Sequence, residues 1–220
     1  MQNKIILDVD DLAFLLPGLD NILRIKQHYP NFKMTAFTIP MPKEFFLREN
    51  KEHFRKDKYK KWAKIINSYD WLEICVHGFA HTLNEFDCSY DKCEMMLKAI
   101  ENLWKEIGLK YKKIFKAPYW QYSYDTLTCL RDNGWTVALD RNFPRTVPEG
   151  LKTYIYNWSF EEKLKKVDGI IKGHGHIFHT QGVNNALDKC YRNIIKEIPL
   201  ESKFLFISEF LKENGKTKEN

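Results

Sequence analysis

Short runs of β-branched and apolar residues alternate with longer stretches of helical period along most of the chain, the pattern of parallel βαβ units. Residues 4–9 predict a first strand, 19–27 a helix, 34–39 a second strand and 72–76 a third, and Ile114–Lys116 and Thr136–Leu139 continue the series. The clearest helix is predicted from about Tyr90 to Ile107. There Cys93, Met96, Leu97, Ile100, Leu103, Trp104 and Ile107 form one apolar stripe, with Ser89 at the N-cap position and Gly108 just beyond the end. Ser123 is placed to cap a shorter helix carrying Leu127 and Leu130, and Gly134 to end it in a left-handed turn. Later segments predict strands at 153–156, 169–173 and 204–207 and a helix from about 185 to 195. Seven or eight strands with intervening helices define an α/β protein. A closed or partly open (β/α) barrel fits the pattern, and a doubly wound open sheet is the alternative. With no internal repeat and no linker, residues 1–210 are expected to form a single domain. The polar, uncapped residues 211–220 are expected to be a flexible tail.

Composition adds limits. At 220 residues, 44% hydrophobic and 29% charged, the chain has the make-up of a folded globular body. No apolar run approaches the roughly 18 residues that span a bilayer. The opening segment meets Asp8 before a signal-peptide apolar region forms, so a cytoplasmic location is expected. Five cysteines without a C-x-x-C spacing predict reduced thiols rather than a disulfide framework or a thiolate zinc site. The net charge of +6 is concentrated in residues 43–64, where nine Lys/Arg face four Asp/Glu. A phosphate-tracking surface is one reading. A solvated helix face is the favoured one, because no nucleic-acid motif accompanies the charge and the interleaved Glu44, Glu49, Glu52 and Asp57 suit helix-surface pairing. No nucleic-acid or membrane partner is expected.

In either α/β architecture, active sites form beyond the carboxyl ends of the strands. The polar residues there are Asp8, Asp10 and Asp11 after the first strand, His77 and His81 after the third, Lys116 and Tyr119 after the fourth, Asp140 after the fifth, and His174 and His176 after a late strand. His77-x-x-x-His81 would point two imidazoles the same way on a helical turn, where they could share one divalent ion. A carboxylate from Asp10-Asp11 would complete a two-histidine, one-carboxylate set with room for water and substrate. Capping of the following helix by Asp10 or Asp11 is the alternative for that pair. Asp8 falls on the face of Asp10 if the strand stays extended, but no role is assigned to it.

Taken in order, Asp10-Asp11, His77-x-x-x-His81, Phe115-Lys-Ala-Pro-Tyr119, Asp140 and Gly169-Ile-Ile-Lys-Gly-His174 resemble the motifs of the polysaccharide deacetylases, the NodB-homology group of carbohydrate esterases, over about residues 4–180. The resemblance implies a distorted (β/α) barrel and a divalent metal, usually zinc, that serves to remove acetyl groups from an N-acetylated sugar or glycan. It makes Asp11, His77 and His81 the metal ligands, Asp10 the general base, His174 the general acid and the backbone N–H of Tyr119 an oxyanion donor. Lys116 and Asp140 take the remaining motif positions. Three residues depart from the family pattern. Lys116 stands where arginine is usual, Trp120 where a glycine follows the Pro-Tyr, and Lys172 where a leucine lines the acetyl-methyl pocket. His176, on the same side of an extended strand as His174, is the alternative acid. His179 is a surface or core-edge histidine by preference. Tyr119, Trp120, Tyr122 and Tyr124 are either sugar-facing platforms or helix-packing residues. Two rival functions stay open: a metal-dependent hydrolase of a non-sugar C–N bond, and a catalytically degenerate glycan-binding protein.

Overall fold

The computed structural model describes residues 3–14, 19–42, 56–143, 146–165, 167, 169–177 and 189–215. The chain divides into two compact units, residues 1–36, 71–73 and 155–220 in the first and 37–70 and 74–154 in the second. The first holds β1 (Lys4–Leu12), α1 (Leu19–His28), the start of β2 (Met34–Thr38) and of β3 (Leu72–His77), β7 (Trp158–Ser159), β8 (Ile171–His176), α5 (Lys189–Glu197), β9 (Lys203–Leu205) and α6 (Ile207–Gly215). The second holds the rest of β2 and β3, α2 (Lys56–Ile66), α3 (Tyr90–Ile107), β4 (Ile114–Lys116), α4 (Tyr124–Asp132), β5 (Thr136–Leu139) and most of β6 (Lys152–Ile155). The strands follow the order β6-β5-β4-β3-β2-β1-β8-β7, with β9 also pairing β1. β8 and β9 run parallel to β1, β4 to β3 and β5, and β7 to β8. This is the parallel, curled sheet of a distorted (β/α) barrel, the first of the two architectures the sequence pattern allows.

Local signals explain most elements. In β1 every residue after Lys4 is buried, as a strand covered on both faces requires, and three of those residues are acids. On α3 the middle of the apolar stripe, Cys93, Leu97, Ile100, Trp104 and Ile107, is buried, and Met96 and Leu103 flank it half-buried. Each large side chain so buried contributes roughly 1.5–3 kcal/mol. Gly108 ends the helix at φ 74°, where a Cβ would be strained. Ser123 Oγ accepts the Thr126 N–H at 2.9 Å and starts α4, and Gly134 (φ 72°) closes its end. α2 turns Tyr59, Ala63 and Ile66 inward and its lysines outward, which is the solvated-face reading of the basic stretch. Residues 43–55 of that stretch lie outside the described residues.

α6 takes in residues 211–215, which composition assigns to a tail. Its start is held from a distance. Glu73, buried on β3, accepts from the Ser208 N–H at 3.2 Å and bonds the Ser208 hydroxyl, and Thr35 Oγ1 accepts the Ile207 N–H at 3.2 Å. A carboxylate on the first turn of a helix satisfies open N–H groups and complements the helix dipole. Among the described residues no helix is long and apolar enough to cross a membrane. All five cysteines are free thiols.

Candidate active site

In the first unit, β1 and β8 lie side by side with Asp8 opposite His174 and Asp10 opposite His176. Side chains two apart share a face, so two acids face two imidazoles. The alternating glycines of Gly173-His174-Gly175-His176 explain how β8 can do this. A Cβ at Gly173 would lie 2.5 Å from Phe160 and 2.9 Å from Trp158, and one at Gly175 would lie 2.3 Å from Phe160. One face of the strand is therefore bare to admit aromatic rings and the other carries the histidines.

His174 is buried with Nδ1 2.8 Å from Asp8 Oδ1, and Nε2 lies 3.8 Å from Asp10 Oδ2. An ionised carboxylate only accepts, so Nδ1 carries the proton shared with Asp8 and Nε2 is turned toward Asp10. The Tyr156 ring packs on this imidazole with centroids 4.8 Å apart. His176 is half-buried, its Nδ1 3.6 Å from Glu161 Oε1. Asp11 has φ 68°, a left-handed conformation at the end of an extended strand. That conformation costs roughly 1–2 kcal/mol for a residue with a Cβ. Lys172, on the histidine face of β8, lays its ammonium 5.7 Å from the Phe210 ring centre, and burial pulls its pKa below the usual lysine value.

In the second unit the two histidines of the third strand come together, with ring centroids 4.9 Å apart. The connection is a loop and not the expected helical turn. Gly78 has φ 63° and His81 φ 60°, and both are incompatible with a continuing right-handed helix. A buried carboxylate shapes that loop: Glu85 accepts the Phe79 N–H at 2.8 Å and the Ala80 N–H at 2.7 Å. His77 Nδ1 lies 3.1 Å from the Lys116 carbonyl oxygen, which can only accept, so Nδ1 carries the proton and the ring lone pair is on Nε2. Tyr119 stands beside His81 at 5.2 Å between ring centres and is half exposed.

Tyr119 and Trp120 both adopt left-handed backbone, φ 56° and 60°. Trp120 thus sits in the conformation that a glycine would take at no cost, which accounts for the strain of a large residue there. Lys116 is fully buried with its ammonium 3.9 Å from the Phe37 ring centre and 4.8 Å from that of Trp120. Cation–π contacts hold its charge where an arginine would offer a planar fork. Tyr122 is a core residue, its hydroxyl accepting from the Ala117 N–H and donating to the Ala138 carbonyl, each at 2.7 Å. Tyr119 and Tyr124 are exposed. Asp140 accepts the Asn142 N–H at 2.7 Å and so shapes the turn after β5. His179 lies outside the described residues. Asp8 and Glu85 are buried carboxylates with specific partners here to which the sequence reading assigns no role. The period-two spacing of Asp8 and Asp10 carries a signal for the first, but Glu85 carries none.

No protein-family model matches the sequence, and no curated protein sequence matches it. Solved structures do. The carbohydrate esterase family 4 domain of a multidomain xylanase from the hindgut metagenome of Trinervitermes trinervoides superposes with TM-score 0.60 at 13% identity, covering 98% of this chain and 92% of that one. The peptidoglycan deacetylase PdaC from Bacillus subtilis gives 0.59 at 13% identity, with 99% and 95% covered. A family 4 carbohydrate esterase from Bacillus anthracis gives 0.55 at 14%, with 96% and 83% covered. The fold is that of the family 4, NodB-like polysaccharide deacetylases over nearly the whole chain.

Proposed function

We propose that the protein is a metal-dependent deacetylase that hydrolyses the N-acetyl amide of a sugar or glycan. The observation that carries this is the Asp8–His174–Asp10 arrangement, a buried imidazole held by one carboxylate and turned toward another at the end of a strand in a deacetylase fold. Asp11, His77 and His81, the ligands that the family resemblance implies, offer two imidazoles and one carboxylate, a donor set that suits zinc. The proton on His77 Nδ1, fixed by the Lys116 carbonyl, supports Nε2 as a ligand. A divalent cation in that set supplies positive charge that acidifies a water and polarises the amide carbonyl.

The remaining steps belong to side chains and backbone. Asp10 accepts the proton of the attacking water. Charge then develops on the former carbonyl oxygen, and the N–H of Tyr119, beside His81, is the donor proposed for it. An amine is a poor leaving group until it is protonated; His174, with a second proton on Nε2, delivers it to the amine while Asp8 holds the Nδ1–H, and the proton that Asp10 took from water replaces it. His174 is preferred to His176 as the acid because it is the buried one and bonds Asp8. The Lys116 carbonyl fixes the His77 ring, and Asp140 shapes the turn after β5. The exposed ring of Tyr119 is suited to stack on a pyranose face. Five free thiols are compatible with a reducing compartment such as the cytoplasm.

Acetate release from N-acetylated chitooligosaccharides, together with metal analysis, tests the reading. Wild type is expected to release acetate and to carry metal, Asp10→Asn to keep the metal and lose release, and His77→Ala to lose both. Equal release by all three overturns it. Lys172, on the same strand face as His174, favours one rival, a non-sugar amide substrate. Turnover of small N-acetyl amides with none of the glycans decides for that rival.

A further inference from the structure

We infer that the chain carries a second, inhibitory cation site made of Asp10, His174 and His176, which takes a transition-metal ion such as zinc and silences the enzyme when it fills. The inference rests on the proposal that Asp11, His77 and His81 hold the resident ion. The ligand atoms of Asp10, His174 and His176 lie within 4.8 Å of one another. Donors bound to one zinc ion are roughly 3.3 Å apart, from bond lengths of about 2.0–2.1 Å. Small side-chain rotations therefore bring the three onto one ion.

The surroundings are built for a cation. Asp8 accepts from Nδ1 of His174 and leaves Nε2 as the coordinating nitrogen, the carboxylate–histidine pairing that raises ligand basicity in metal sites. Glu161 Oε1 lies 3.6 Å from Nδ1 of His176, beyond hydrogen-bond distance, and adds negative charge beside that ring. Three carboxylates thus ring two imidazoles. The strand pairing of Asp8 with His174 and of Asp10 with His176 fixes the backbone beneath all four. His176 and Glu161 are partly exposed, which gives an ion a way in. Two imidazoles and one carboxylate favour zinc, nickel or copper over magnesium or calcium. An ion there would take the carboxylate that accepts the water's proton and the nitrogen that protonates the amine. Inhibition by excess zinc follows directly.

The test titrates metal-free protein with zinc, reading bound metal after equilibrium dialysis and, in parallel, acetate release. Wild type is expected to bind two ions per chain, with release rising over the first and falling at least tenfold over the second. His176→Ala is expected to bind one ion and to keep its activity in excess zinc. His81→Ala is expected to lose the tight ion and keep the weaker one. Magnesium in the same range should not inhibit. A single ion in wild type, or two in His176→Ala, overturns the inference, as does undiminished release at two ions. Because stoichiometry is read without substrate, two ions in a protein that releases no acetate would uphold the site and refute only the deacetylase reading.

Discussion

His174 is the residue on which most of the proposed chemistry turns, and its two nitrogens face different carboxylates. Asp8, at 2.8 Å from Nδ1, fixes the tautomer and the ring plane, and Asp10, at 3.8 Å from Nε2, lies on the reacting side. Removing the imidazole removes the proton donor, so His174→Ala should lower kcat by roughly 10²–10⁴-fold. Asp8→Asn keeps the size and an acceptor but loses the negative charge that holds the Nδ1–H. It should lower kcat by about 10–100-fold with KM nearly unchanged. Steady-state kinetics on N-acetylated oligosaccharides, with thermal denaturation showing both variants folded, separates positioning from collapse. Unaltered kcat in Asp8→Asn would show that the 2.8 Å contact has no part in proton transfer. Asp8 could be placed on the face of Asp10 from strand alternation alone. Its partner could not, because pairing with a strand more than 160 residues away leaves no local trace.

Among the elements, the loop between His77 and His81 has the tightest requirements. Gly78 is left-handed, and a Cβ there would lie 2.5 Å from Glu85 Oε2 and 2.6 Å from the Pro118 ring. Gly78→Ala therefore costs the left-handed penalty of roughly 1–2 kcal/mol and also displaces the carboxylate that holds residues 79 and 80. Glu85→Gln keeps one acceptor oxygen and should be milder. Metal affinity is expected to fall by more than tenfold in Gly78→Ala and by less in Glu85→Gln, read by zinc competition with a chromophoric chelator. Equal affinities in all three proteins would mean that the loop does not set the spacing of the histidines. The same contrast explains which elements could be read from sequence. α3 and α4 carry their own apolar stripe and terminal glycine, and α4 its capping Ser123, and their expected positions hold; Ser89 stands at the N-cap of α3 without a side-chain capping bond. The histidine loop and α6 depend on Glu85 and Glu73, carboxylates whose roles exist only after folding. Helical spacing therefore suggests the wrong local structure for His77-x-x-x-His81, and composition suggests a tail where α6 continues.

At the scale of the whole molecule, two properties follow from what folding buries and gathers. Cys75, Cys93, Cys129 and Cys190 are buried, and burial pushes the Cys93 and Cys129 thiols above the usual cysteine range, whereas Cys88 is partly exposed. Thiolate is the reactive form, so native protein should show one fast thiol, at Cys88, and denatured protein five. Timed alkylation with mass spectrometry reads this directly, and rapid labelling of Cys93 would contradict it. The second property concerns the proposed metal ligands. Asp11 lies on β1, His77 ends β3 and His81 lies in the loop after it, so the unfolded chain offers no comparable site. An ion bound only by the folded form stabilises it by about 2.7 kcal/mol when present at a hundred times its dissociation constant. For a chain of this size each kcal/mol moves Tm by roughly 2–4 °C. Stripping the metal with a chelator should thus lower Tm by about 5–10 °C and abolish acetate release, and zinc should restore both. Asp11→Ala and His81→Ala should start at the lower Tm and not respond to the chelator. A wild-type Tm that is the same with and without chelator would separate Asp11, His77 and His81 from any cation and leave the deacetylase fold without the proposed chemistry.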